Sequence, residues 1–386
     1  MKIFAIITAL AATAVVASPI EKRSSCTATS YKQIAGTKSC SSVVIQGPFT
    51  VPANEVIDLT GLQTGTTVKI TGTITFAKGN LDMSNNLITF GGTNIKIDGT
   101  SGLLNGSGPQ YWDGKGSNGG VNKPKFVRLQ KLSGSITGLT ILGSPIQTFA
   151  ISGCQGLTLK NITIDNRGTN YALGHNTDGF DVASSTGLTI VGAKVYNNDD
   201  CLAVNSGSNI VFTNNYCSGG HGISIGSIKA GAIVDGVSIT GNTVVNSANA
   251  VRIKAYADAK GGKVNNVTYS DITMSGITDY GIIIQQDYTN SGATGKPGGD
   301  APITNVNLYN VHGSMAKGGE SVYILCANCS KFNFQKIAIT GGSASKCTYV
   351  SGSCVRRFIT TPVQNEFILT LILLLYSGIS PKPSGC

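Results

Sequence analysis

Five stretches of this chain repeat one short pattern: LTLKNITIDN at 157–166, LTIVGAKVYN at 188–197, NIVFTNNYC at 209–217, VSITGNTVVN at 237–246 and VTYSDITMSG at 267–276. Each alternates apolar with polar residues, the period-2 mark of a half-buried strand, and each carries Asn or Gly where a turn would fall. An earlier fragment, NIKIDG at 94–99, reads the same way. Counted from Leu157, Leu188, Ile210, Val237 and Val267, the steps are 31, 22, 27 and 30 residues. A near-constant step of this size, filled with strand residues, predicts a single-domain, all-β solenoid, a parallel β-helix. A propeller needs a longer repeat, and a sandwich does not explain a step sustained over five units. Successive coils of such a helix lie about 4.7 to 4.9 Å apart. Asn and hydroxyl residues can then stack as ladders that satisfy buried turn backbone.

The composition agrees. Among 386 residues there are 50 glycines, and only 12% of positions are charged, which suits many tight turns and few long helices. The formal net charge of +10 points to an anionic partner. The basic residues are scattered singly with no Arg-rich aromatic motif, which argues against nucleic acid and for an acidic extracellular polymer.

Lys2 followed by an apolar run from Ile3 to about Val16 reads as a secretory signal over residues 1–18. A dibasic site ending at Arg23 closes a short propeptide over 19–23. Residues 24–348 then form the β-helix, released outside the cell with no membrane attachment. Export makes the ten cysteines readable as bridges. Cys26 with Cys40 and Cys201 with Cys217 are the simplest pairs, and Cys326 with Cys329 in CANC is read as a local disulfide, because no second CxxC or His cluster completes a zinc site. Sequons at Asn105, Asn161, Asn266 and Asn328 are glycosylation candidates.

Coil spacing connects polar residues that are far apart in the chain. GHNTDGFDV at 174–182 places Asp178 in a turn-rich, exposed segment; 22 residues on, NNDDCLAVNSG at 197–207 supplies Asp199 and Asp200. CSGGHGISIGS at 217–227 adds His221, and VRIKA at 251–255 adds Arg252 and Lys254. One coil separates each group from the next, so all should stack into one stripe. Alone, the acids read as a solvated turn, the His as structural and the cations as outward-pointing charges, but carboxylates, an imidazole and two cations converging at coil spacing read as a site. Carboxylates so close cannot all ionise normally: one should have a raised pKa and donate a proton while another accepts one from water, as in glycoside hydrolysis. The cations would hold an anionic sugar.

These segments, in this order and at these intervals, closely resemble the signature segments of fungal polygalacturonases, family 28 glycoside hydrolases that cut pectin. YWDGKGSNGGVNKPKF at 111–126 and YGIIIQQDY at 280–288 share the resemblance, which runs from about Cys26 to Cys347. It implies a right-handed parallel β-helix and an inverting endo-hydrolase of homogalacturonan. Asp199 would be the general acid, Asp178 and Asp200 would position and deprotonate water, and His221 would set the acid's protonation. Arg252, Lys254, Tyr288 and Asn176 would contact the sugar. The resemblance also implies a monomer that needs no metal or cofactor, with pectin as substrate and plant inhibitor proteins as partners. Two features stand against the pattern: Asn198 occupies the place of a usual Gln, and stacking of Asp178 one coil from Asp200 suggests the short carboxylate separation of retaining enzymes.

The tail, 349–386, breaks the pattern. FILTLILLLY at 367–376 is apolar, unalternating and too short to cross a bilayer. It reads as a translated retained intron followed by the native cap. Removing it joins SKCT at 345–348 to GISPKPSGC at 378–386, pairs Cys347 with Cys386, eliminates Cys354, and leaves Cys154 as the single thiol. Donor, branch and acceptor sites in the nucleotide sequence at these codons are the check.

An exo-acting or rhamnogalacturonan hydrolase is the nearest rival reading. A pectate lyase would need a calcium cluster and an Arg base. A catalytically idle wall-binding protein would show a damaged acid or base, whereas all three carboxylates are present.

Overall fold

The computed structural model describes residues 25–348. The signal, the propeptide and the tail with Cys386 lie outside them. The described chain is a right-handed parallel β-helix of 27 strands in one continuous parallel network.

The repeat read from the sequence is the coil itself. Leu157 pairs with Leu188, Leu188 with Ile210, Ile210 with Val237, and Val237 with Val267. The row continues to Val306 and Phe332. From Leu157 to Val267 these side chains point inward and are almost wholly buried. Each such burial stabilises the fold by about 1.5–3 kcal/mol relative to exposure. A typical coil has three strands, as in Ser185–Val191, Lys194–Tyr196 and Leu202–Val204.

Corners between strands are held by the expected asparagine ladder. Asn215 and Asn242 are buried; the Asn242 amide donates to the Phe212 carbonyl at 2.9 Å, and its Oδ1 accepts from the Asn215 backbone at 2.8 Å. Disulfides Cys26–Cys40, Cys201–Cys217 and Cys326–Cys329 form as expected, and Cys154 is a buried free thiol. Cys347 is disulfide-bonded, to a partner outside the described residues. Of the sequons, Asn161, Asn266 and Asn328 are exposed, while Asn105 is half-buried and its Ser107 is buried and donates to the Phe76 carbonyl.

Candidate active site

The third strand of successive coils carries the polar cluster. Phe180 pairs with Leu202 and Leu202 with Ile223, which sets Asp178, Asp200 and His221 side by side two residues earlier. Backbone bonds from Gly179 N to Asp200 O at 2.9 Å and from His221 N to Asp199 O at 2.8 Å run between these coils. The single stripe expected from spacing is in fact split between rows. Ser224 pairs with Arg252, so Arg252 stands in the row of Asp181 and Ala203, three residues along from the row of Asp178, Asp200 and His221, and Lys254 lies two residues further along the same strand. Turn length varies between coils, so equal steps in sequence do not keep one lateral position.

Local backbone dictates how the adjacent acids are presented. The buried Asn197 amide donates to the carbonyls of Asp199 and Asp200, both at 2.9 Å, and to Thr177 at 3.1 Å. Glycine is required at 220, because a Cβ there would run into the Asp199 carbonyl. Cys201, bridged to Cys217, anchors the residue after the pair.

Asp199 Oδ1 is 3.0 Å from His221 Nδ1 and accepts from the Asp200 backbone N–H at 2.7 Å. Its Oδ2 accepts from the Asn176 amide at 3.0 Å, and Asn176 Oδ1 in turn accepts from the backbone and hydroxyl of Ser117. Asn176 thus ties the acid to the 111–126 segment. Asp200 is the electrostatic hub: Lys254 Nζ lies 2.6 Å away, Ser224 Oγ donates at 2.6 Å, and Arg252 stands at 3.6 Å. The Tyr288 ring has the Arg252 and Lys254 cations 5.5 and 5.2 Å from its centroid.

Asp178 is 7% exposed, not exposed as its turn-rich surroundings suggested. Burial raises its carboxyl well above the ordinary range, and the charges of Asp181, Asp199 and Asp200 push the same way. Asp181, which spacing did not single out, is raised by burial and by Asp200 to about 7. One oxygen of each of these two carboxyls is buried with no hydrogen-bond partner. Burial acts on Asp199 too, but the hydrogen bond and charge of His221, with Lys254, outweigh it and hold that carboxyl at about 2. Burial lowers His221, whereas its bond to Asp199 and the surrounding negative charge raise it above 6.5 overall. In the free site the proton of the Asp199–His221 pair therefore rests on the imidazole.

Asp199, Asp200 and His221 offer ligand atoms within 4.8 Å of one another. Lys254 and Arg252 already supply the compensating positive charge to Asp200, so the donor set fits an organic cation cluster better than a metal. The cluster lies in a cleft of about 500 Å³ whose wall includes Lys115 and Ser117 on one side and Ser227 and Asn290 on the other. Asp181 could have been found from the alternation of Phe180 inward, Asp181 outward and Val182 inward; Asn197 carried no signal beyond its turn.

A parallel β-helix with carboxylates, an imidazole and paired cations in one open cleft defines a glycosidase that works by acid/base catalysis. The chain belongs to the glycosyl hydrolases family 28, whose profile matches residues 40–356. It is 50% identical over 339 residues to an endo-polygalacturonase of Sclerotinia sclerotiorum, covering 85% of this chain and 88% of that one. Endopolygalacturonase 1 of Colletotrichum lindemuthianum is 46% identical over 352 residues, covering 89% of this chain and 96% of its own. Among solved structures, endopolygalacturonase I from Stereum purpureum, complexed with two galacturonate, superimposes with a TM-score of 0.78 at 40% identity, covering 85% of this chain and 99% of that chain.

Proposed function

We propose that the protein is a secreted endo-acting polygalacturonase that hydrolyses the α-1,4 linkages of homogalacturonan with inversion, acting as a monomer without a metal. The site supports this through Asp200: one buried carboxylate binds Lys254 and Arg252 on one side and stands beside Asp178 and Asp199 on the other. Carbohydrate chemistry and recognition of a sugar carboxylate are thereby joined in one cluster.

As the bond breaks, the proton that His221 carries in the free site passes through Asp199 to the glycosidic oxygen, leaving the imidazole neutral and Asp199 ionised. Water attacks the anomeric carbon from the face of Asp178 and Asp200 and gives up its proton there. A carboxyl with a raised pKa is protonated over part of the acidic range, so Asp200, paired with Lys254 at 2.6 Å, takes the base role ahead of Asp178. Arg252 and Lys254 hold the galacturonate carboxylate beside the scissile bond, and Tyr288 packs against the ring. Plant proteins that inhibit pectin-cutting enzymes would meet the protein outside the fungal cell.

Viscosity measured against reducing-end release on polygalacturonate tests the activity. A steep viscosity fall at low release is expected. A slow fall overturns endo attack, and ultraviolet-absorbing unsaturated products overturn hydrolysis. NMR of the first-formed anomer tests inversion, because single-coil stacking of carboxylates otherwise favours the short separation of retaining enzymes.

A further inference from the structure

We infer that Arg128 is a distal substrate-binding residue, taking a galacturonate carboxylate on the side of the cleft towards the N-terminus; this rests on the polygalacturonase reading above. Arg128 pairs in register with Ala150, Ala150 with Asp181, Asp181 with Ala203, Ala203 with Ser224 and Ser224 with Arg252. All six residues occupy one lateral row. The neighbours Val127 and Leu129 are fully buried in the core, so alternation turns Arg128 outward, on the face that carries Asp181.

The row is cationic on both sides of the acids and small between them. At one coil per 4.7 to 4.9 Å, Arg128 stands about 10 Å to one side of Asp181 and Arg252 about 14 Å to the other. The intervening Ala150 and Ala203 leave the floor open for a polymer. Arg252 is partnered by Asp200, whereas Arg128 has no carboxylate within ion-pair distance among the described residues.

The adjacent row supports the same end of the track. Phe126 N donates to Gln147 O and Thr148 N to Asp178 O, which sets Lys125 beside Gln147 and Gln147 beside Asp178. Lys125 also lacks an ion-pair partner among the described residues, and its charge reaches Asp181. Gln147 lines the cleft with a buried Oε1 that has no hydrogen-bond partner. Two free cations and an unsatisfied amide thus continue the cleft beyond its acids. A polyanion threaded along the coil axis would place successive carboxylates over this floor, and a guanidinium binds a carboxylate through two parallel N–H donors.

The test uses R128Q and R128K, each alone and combined with D199N so that binding is read without turnover. Titration calorimetry on the D199N chain should show R128Q weakening hexagalacturonate about tenfold, in the range of a charge-assisted hydrogen bond. Trigalacturonate, too short to reach Arg128 while held at Arg252, about 24 Å away at five coils, should bind unchanged, and R128K should recover part of the loss. In the chain with Asp199 intact, R128Q should raise KM on polygalacturonate about tenfold at unchanged kcat. Equal hexamer affinity with and without Arg128, or an equal loss for trimer and hexamer, overturns the assignment while polygalacturonate hydrolysis stands. A chain that neither hydrolyses polygalacturonate nor, as D199N, binds any galacturonate oligomer overturns the functional reading and Arg128's role with it. The melting temperature of R128Q, expected to match that of the parent, separates lost binding from lost folding.

Discussion

His221 Nδ1 lies 3.0 Å from Asp199 Oδ1 although 22 residues separate them, because one coil of the helix returns the chain to the same place. The pair shares a proton that neither residue would hold alone in this way: the imidazole is raised above 6.5 and the carboxyl lowered to about 2.

Replacing Asp199 by Asn removes the proposed proton donor and keeps the shape. A fall in kcat of about 10²- to 10⁴-fold is expected, with KM little changed. Steady-state kinetics on polygalacturonate checks this, and an Asp199→Asn protein as active as its parent would sink the acid assignment.

On the proposed mechanism, His221 sets the alkaline limit. Its raised pKa means the imidazolium persists through 6.5 and is lost as pH rises through the folded value, so kcat/KM should fall with a half-point above 6.5. His221→Ala should lower kcat and abolish that limb; a pH–rate profile with the limb unmoved would assign it to another group.

Lys254 and Asp200 form a buried ion pair at 2.6 Å. Lys254→Met leaves the buried carboxylate with only Arg252 at 3.6 Å as a cation, at a cost of up to about 3–5 kcal/mol. Thermal unfolding should register the loss, and KM for polygalacturonate should rise in the same variant. The double variant with Asp200→Asn should regain most of the stability but not the activity.

Acidic pH should stabilise the fold. Asp181 is raised to about 7, so its favourable contribution is complete below the ordinary value of 3.8 and is lost as pH rises towards 7; Asp178 acts in the same sense. Asp199, lowered to about 2, contributes above 3.8 and fails only as pH falls towards 2. The melting temperature should therefore peak in mildly acidic buffer. Asp181→Asn should flatten its decline towards neutrality.

Asn197 tests the scaffold. Its amide donates to three carbonyls, those of Thr177, Asp199 and Asp200. Asn197→Ala should cost about 1–3 kcal/mol by removing the buried amide, although the Asp199 and Asp200 carbonyls keep their bonds from His221 N and Gly179 N. A fall in kcat with KM little changed would show that the turn presents Asp199 and Asp200, while an unchanged melting temperature would contradict Asn197's role in holding that turn.

Much of the protein was legible in one dimension because a solenoid converts sequence distance into spatial distance. Leu157, Leu188, Ile210, Val237 and Val267 announced the coil, and their register is the one their spacing implied. Asp178, Asp200 and His221 could be stacked by counting residues, and the local disulfides by proximity. Counting stopped where turns differ in length: it merged two rows into one and passed over Asp181 and Arg128, whose neighbours across coils are set by register. Ionisation lay further out of reach. Asp178, Asp181 and Asp199 are the same amino acid in similar short contexts, yet two are raised and one is lowered. Desolvation and the field of His221 and Lys254 act through space, so the proton's place was decided only when the coils closed around it.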